Sequence, residues 1–279
     1  MDSSSSSWVT EGKPIKGVLL DISGVLRDGN SAIPGSLDAF HKLVQSGIQV
    51  RLVTNESQVT RKDSLDKLTR LGFQGLQFDK IFAPAPLLAE ELVRQGHRPH
   101  LLVHPRVKPE FAIIPDLDSN EAATCVVIGD ACEHFTYDGM NTAFRTLLDT
   151  QKRGLEPKLF TLGRGRFYSH DQLLWLDVGP FCAALEYSLN IKAELFGKPS
   201  KIFFDTAVAS MASDGISRDE IVMIGDDIIG DVKGAMDAGM RGVLVRTGKF
   251  RAAVDENHVS VKPSGIVDDL RAAVDMILS

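Results

Sequence analysis

Short apolar runs in this chain stop on polar residues. Val18-Leu19-Leu20 ends on Asp21, residues 48–53 end on Thr54-Asn55, and residues 221–224 end on Gly225-Asp226-Asp227. Segments with helical spacing lie between them. Leu37, Phe40, Leu43 and Val44 form one apolar face after Ser36, a candidate N-cap, and Gly47 closes the segment. Apolar strands alternating with amphipathic helices predict an α/β fold with a Rossmann-like parallel sheet wrapped by helices on both faces. Such sheets bind ligands at the carboxyl ends of their strands, so the polar residues at 21, 54–55 and 226 are expected on one rim. Asp28-Gly29 signals a tight turn just beyond the first strand.

The alternation continues through a helix to Gly72, a strand over 80–82 and a helix over 86–95. Near the end it returns as a helix over 201–211, a strand over 243–245 and a final helix over 267–278. A chain of 279 residues favours two domains. Strands expected at 101–103, 125–128, 158–162 and 193–196, with helices at 140–148 and 179–189, suggest an inserted α/β domain over 88–192. The core then comprises 15–87 and 193–279. Residues 1–14 are polar, lack the apolar stretch of a secretory signal, and read as a disordered arm. No apolar run is long enough to cross a bilayer.

A net charge of -6 gives no global attraction to nucleic acid or to an anionic membrane. The three cysteines, Cys125, Cys132 and Cys182, have no CxxC spacing and belong to no four-ligand zinc pattern. They read as reduced thiols of an intracellular protein, expected in the cytoplasm with the nucleus as a second compartment.

Four segments carry the chemistry: DISGV at 21–25, TNES at 54–57, GKPS at 197–200 and GDDIIGD at 225–231. Asp21 suits a carboxylate nucleophile that takes up a phosphoryl group, though a lone aspartate there would more often cap a turn. Gly24 lets the backbone around Ile22 and Ser23 approach a phosphate. Asp226 suits an oxygen ligand for Mg2+. Lys198, held between Gly197 and Pro199, suits a point charge that keeps Asp21 ionised beside the phosphate. Thr54 and Asn55 offer a hydroxyl, an amide and backbone donors for its oxygens. Asp227 and Asp231 form a second tier, orienting Lys198 or water, with helix capping an equal reading for Asp227.

Together, in this order and at strand ends, these segments resemble the haloacid dehalogenase-like phosphatase superfamily. CVVIGD, MNTAF, LDVGP and RTGKFR extend the resemblance, insertion included, to one branch of it that acts on P–N and P–O–P bonds. The resemblance implies a C2-type α/β cap and Mg2+ held by Asp21, Asp226 and the Ser23 backbone carbonyl. It also implies a homodimer, and as substrate a small phosphorylated molecule or a phosphohistidine protein.

Ser23 departs from the superfamily pattern, which has a second aspartate there to protonate the leaving group. Losing such an acid costs about 10²–10⁴-fold. An alkoxide leaving group needs that proton most. An amine or imidazole brings its own proton, and phosphate leaves as a stable anion. Ser23 therefore points to P–N and P–O–P bonds over alkyl esters, and the resemblance implies phosphohistidine, phospholysine, pyrophosphate and imidodiphosphate among them. The alternatives are a phosphatase for a small metabolite such as phosphoglycolate or a nucleotide, and a weakly catalytic binder of phosphorylated ligands. Selectivity is expected from the cap. There Gly163-Arg164-Gly165-Arg166-Phe167-Tyr168 offers cations, Arg166 among them, and aromatics. Gly179 opens a helix whose N–H groups suit an anion. Asp130 mimics the late acidic motif without its second acid, and His97, His100 and His104 read as surface histidines.

Overall fold

Every residue of Gly17–Leu20 and of Ile221–Gly225 is buried, as a strand covered on both faces requires. The computed structural model describes residues 7–115, 121–170 and 173–279. The chain divides into two units: Met1–Thr54, Arg61–Phe82 and Lys198–Ser279 in one, Asn55–Thr60 and Ala83–Gly197 in the other.

The first unit is built on a six-stranded sheet in the order Gly265–Val267, Arg241–Val245, Ile221–Gly225, Gly17–Leu20, Gln49–Val53, Ile81–Phe82. Every pairing in it is parallel. The chain's first strand is central, with its sequence successor on one side and a late strand on the other. That is a switch point, where the connections diverge and open a crevice at the carboxyl ends. Leu20 pairs with both Ile224 and Leu52, so Asp21 is level with Gly225 and Val53. Helices Ser36–Gln45 and Leu270–Ile277 contribute to a core in which Phe40 meets the Phe73 ring edge-on at 5.5 Å.

Three expectations change here. Ser36 is not the cap: Gly35, at φ 79°, takes that position, and Ser36 Oγ donates instead to the Leu26 carbonyl at 2.8 Å. The final helix expected over 267–278 begins later. Gly265–Val267 is the sheet's edge strand, and Asp269 caps Leu270–Ile277 by accepting from Ala272 N. A short apolar stretch leading into a helix has no periodicity of its own to mark the break. The arm expected over 1–14 is docked from Ser7–Thr10, a helical turn. Trp8 is 2% exposed, and Arg241 donates to the carbonyls of Trp8 and Lys13. A Cβ on Gly265 would lie 2.3 Å from the Trp8 ring, so the indole uses the space that the glycine leaves. Residues 1–6 of that arm lie outside the described residues.

The second unit has its own four-stranded parallel sheet: Glu194–Leu195, Lys158–Thr161, Cys125–Ile128, Pro99–Leu102. Helices Pro84–Gln95, Tyr137–Lys152 and Val178–Leu189 accompany it, as does an antiparallel pair, Phe167–His170 with Leu173–Leu176. The unit is wider than the insertion expected over 88–192. It starts at Ala83, ends at Gly197 and takes in Asn55–Thr60. Pro84 rather than Pro86 opens the first helix, because proline at the first helical positions loses no needed N–H. Among the described residues no helix is long and apolar enough to cross a membrane.

Candidate active site

Asp21 leaves the sheet still tied to it, its N–H bonded to the Ile224 carbonyl at 3.0 Å. The chain then turns back on itself, with Gly24 N–H donating to the Arg27 carbonyl at 2.8 Å. The Asp28-Gly29 turn joins the short antiparallel pair Arg27–Asp28 and Ser31–Ala32. Asp21 is buried, and its Oδ1 accepts from Ile22 N–H at 2.8 Å.

Lys198 lies among three acceptors. Its Nζ is 2.9 Å from Asp21 Oδ1, 2.6 Å from Asp231 Oδ1 and 3.1 Å from the Val53 carbonyl. Burial alone would lower the pKa of this ammonium. Asp21 and Asp231 outweigh burial and hold it above its ordinary value. Asp231 is fully buried within the π-helical turn Ile228–Lys233, a local widening common at functional sites. Both its oxygens are engaged, Oδ1 by Lys198 and Oδ2 by Asp227 N–H at 3.1 Å. Asp231 therefore orients Lys198.

Asp226 is differently placed. Its Oδ2 accepts from Lys249 N–H at 2.7 Å, whereas its buried Oδ1 has no hydrogen-bond partner among the described residues. Oxygens of Asp21, Asp226 and Asp231 lie within 4.8 Å of one another. Burial, then Asp21 and Asp231, push the Asp226 carboxyl up to about 8. Burial pushes Asp231 up to about 7 against the pull of Lys198, with Asp21 and Asp227 adding to the push. Two of these three buried carboxylates share one buried ammonium, and one oxygen of the third is bare among the described residues. That donor set, all oxygen and short of positive charge, fits a hard divalent cation such as Mg2+.

The pH dependence has a definite sign. Asp226 and Asp231 keep their protons in the fold to a higher pH than in the unfolded chain. Their contribution to stability is therefore present below about pH 4 and is lost as pH rises towards about 8. His97 and His100, lowered by burial, work in the opposite direction in the second unit. Comparison with Asp226→Asn isolates the effect. In chelator, the variant is expected to match the parent below about pH 4 and to exceed it at about pH 8 by on the order of a few kcal/mol. Denaturant melts check this, and a parent that gains on the variant as pH rises would remove the buried charge excess from the account.

Asp227 caps the π-helical turn, its Oδ1 accepting from Ile229 and Gly230 N–H at 3.0 and 2.8 Å. Burial would raise its pKa, but Lys249 and those two donors hold it below the ordinary value. Ser23 is half-buried two residues beyond Asp21, and Ile22 is buried between them. Thr54, also buried, follows the strand next to Asp21 and donates its N–H to the Phe82 carbonyl. Asn55 and Arg166 belong to the second unit, and both are exposed. Arg164 in the same loop is paired with Glu186. Gly179 does not suit an anion, because its N–H donates to the Gly165 carbonyl at 2.9 Å and Asp177 caps the helix.

Sequence reasoning gave no role to residues 247–249. Thr247 Oγ1 donates to the Gly24 carbonyl, and Lys249 N–H fixes Asp226. A Cβ on Gly24 (φ 86°) or Gly248 (φ 63°) would lie 2.0 Å from Asp226 Oδ2, so both glycines are needed for that approach. The available signal was a glycine just past the carboxyl end of Arg241–Val245.

Residues 18–113 match the haloacid dehalogenase-like hydrolase family, and residues 195–273 match a related HAD-hydrolase-like family. The human phospholysine phosphohistidine inorganic pyrophosphate phosphatase is 48% identical over 95% of this chain and 94% of its own length. The bovine haloacid dehalogenase-like hydrolase domain-containing protein 2 is 41% identical, over 95% of this chain and 97% of its own. Among solved structures, the 4-nitrophenylphosphatase of Thermotoga maritima superposes with a TM-score of 0.82. It covers 94% of this chain and 97% of its own at 24% identity, a likeness of fold.

Proposed function

The chain belongs to the haloacid dehalogenase-like hydrolase family and is a phosphatase, and we propose that it is a Mg2+-dependent hydrolase of P–N and P–O–P bonds working through phosphorylated Asp21. One observation carries this reading: Asp21 shares Lys198 with Asp231, while the bare oxygen of Asp226 stands beside them. Asp21 and Asp226, with the Ser23 carbonyl, would hold the cation, which supplies charge neutralisation for an incoming phosphate dianion.

The protein's own groups do the rest. Lys198 holds Asp21 ionised and offers positive charge to the phosphoryl oxygens, and Thr54 offers a hydroxyl and Ser23 a backbone donor to the same oxygens, while the Ile22 N–H stays on Asp21 Oδ1. Asp21 Oδ2, which takes no hydrogen bond from the described residues, attacks phosphorus as the bond to nitrogen or bridging oxygen breaks. The bonding electrons leave with the departing group, which carries its own proton when it is an amine or imidazole. Water then attacks the phosphorylated carboxylate, releasing inorganic phosphate and restoring Asp21.

The identity with human phospholysine phosphohistidine inorganic pyrophosphate phosphatase supports the same substrate classes here. The three free cysteines support a reducing compartment, the cytoplasm or the nucleus. Purified protein is expected to release phosphate from pyrophosphate, imidodiphosphate, phosphohistidine and phospholysine with Mg2+, and to turn over alkyl phosphates far more slowly. Fast alkyl-ester turnover would favour the metabolite-phosphatase reading instead. Ser23→Asp supplies the missing acid and is expected to raise alkyl phosphate turnover relative to imidodiphosphate by about 10²-fold or more. An unchanged ratio would remove Ser23 from the basis of selectivity.

A further inference from the structure

The second unit carries a cluster of different chemistry. One ligand atom each of His104, Cys132 and Glu133 lies within 4.8 Å of the other two. His104 follows the sheet strand Pro99–Leu102, and Cys132 follows the neighbouring strand Cys125–Ile128, so parallel pairing brings the two loops to the same end of that sheet. His104 and Cys132 are half-buried, and Glu133 is exposed.

We propose that His104, Cys132 and Glu133 form a site for a divalent transition-metal ion of the zinc class. Sulfur and imidazole nitrogen select such ions over Mg2+, which prefers oxygen throughout. Zinc bonds of about 2.0–2.3 Å in tetrahedral array set ligand atoms about 3.3–3.6 Å apart, so the trio, within 4.8 Å, closes by about 1.5 Å at most. Asp130 Oδ1 lies 3.5 Å from the sulfur and accepts from the Cys132 N–H at 3.2 Å, which fixes the cysteine, and the fourth position is left to water. Burial first, then Asp130, Glu133 and Glu56, push the Cys132 thiol up to about 12, so the thiolate forms only against a bound cation. Cys132 is held at φ 48°, a left-handed conformation uncommon outside glycine, and such strain marks functional positions.

Binding converts the Cys132 thiol to thiolate, and its proton passes to solvent. The S–H to Asp130 Oδ1 contact is exchanged for a bond to the ion. His104 Nδ1 now accepts from Arg106 N–H at 3.2 Å. Coordination through either ring nitrogen gives up that long hydrogen bond, because a neutral imidazole bound through Nε2 carries its proton on Nδ1. His134 Nε2, 3.8 Å from Glu133 Oε1, borders the site.

Cobalt is the probe. With the full chain in excess Mg2+, Co2+ is expected to develop a thiolate-to-cobalt charge-transfer band that saturates at one ion per chain and is abolished by Zn2+. Cys132→Ser should lose the band, although Cys125 and Cys182 remain. His104→Gln should weaken Co2+ binding by about 10–100-fold or more, the loss seen when groups that merely orient a ligand are removed. Circular dichroism checks that both variants fold. No band in the parent, a full band in Cys132→Ser, or unchanged affinity in His104→Gln would each overturn the site. His104→Gln keeps the test decisive if the serine variant does not fold.

Discussion

Asparagine in place of Asp21 is expected to reduce Mg2+-dependent phosphate release by on the order of 10⁴–10⁶-fold, with the fold retained. The substitution is isosteric, so Ile22 N–H keeps its acceptor and the turn at Gly24 keeps its geometry. Two things are lost. The amide oxygen is too weak a nucleophile to take the phosphoryl group. One of the two carboxylates that balance Lys198 also becomes neutral, although Asp231 at 2.6 Å still holds the ammonium in place. Structure and chemistry are thereby separated. Steady-state release from pyrophosphate and imidodiphosphate measures the loss, and acid-quenched single turnovers of the parent should trap phosphate on Asp21. If Asp21→Asn stayed within about tenfold of the parent, direct attack by water would replace the covalent route. The substrate panel would keep its meaning in that case, because leaving-group preference depends on Ser23 and not on which oxygen attacks.

Much of the site was legible because parallel strands convert sequence into position. Asp21 and Asp226 end two strands paired in register, and Lys198 reaches the carbonyl that closes a third. An acid after a continuous apolar run was therefore a strong local signal. Less legible were features made by backbone approach. Gly24 and Gly248 are far apart in sequence, yet both exist to admit the same Asp226 carboxylate, and no periodicity announces that. Asp231 read as orienting Lys198 or water; which of the two was not legible, because Lys198 arrives from 33 residues upstream. The strand Gly265–Val267 merged with the helix after it because three apolar residues carry neither period. Trp8 was missed because a polar arm masks a single aromatic anchor, whose burial requires a glycine more than two hundred residues away.

Methionine in place of Lys198 is expected to lower stability by about 3–5 kcal/mol in chelator near neutral pH, and to abolish turnover. Methionine keeps most of the side-chain volume, so the loss is electrostatic. Asp21 and Asp231 would face each other in a buried space with Asp226 alongside and no ammonium among them. Such acids relieve the strain by binding protons. The penalty should therefore shrink as pH falls and grow as it rises, the direction already set by the raised Asp226 and Asp231 carboxyls. Adding Asp231→Asn removes one uncompensated charge. The double variant is expected to recover part of the stability and none of the activity, because Lys198 is needed for the phosphate while Asp231 is needed only to hold Lys198. Mg2+ should also restore stability to the single variant, by binding the native carboxylates and not the unfolded chain. Urea melts of the four proteins of this cycle at two pH values give the coupling directly. A Lys198→Met protein as stable as its parent across that range would mean that the ammonium does not neutralise this cluster, and the charge argument for a bound cation would go with it.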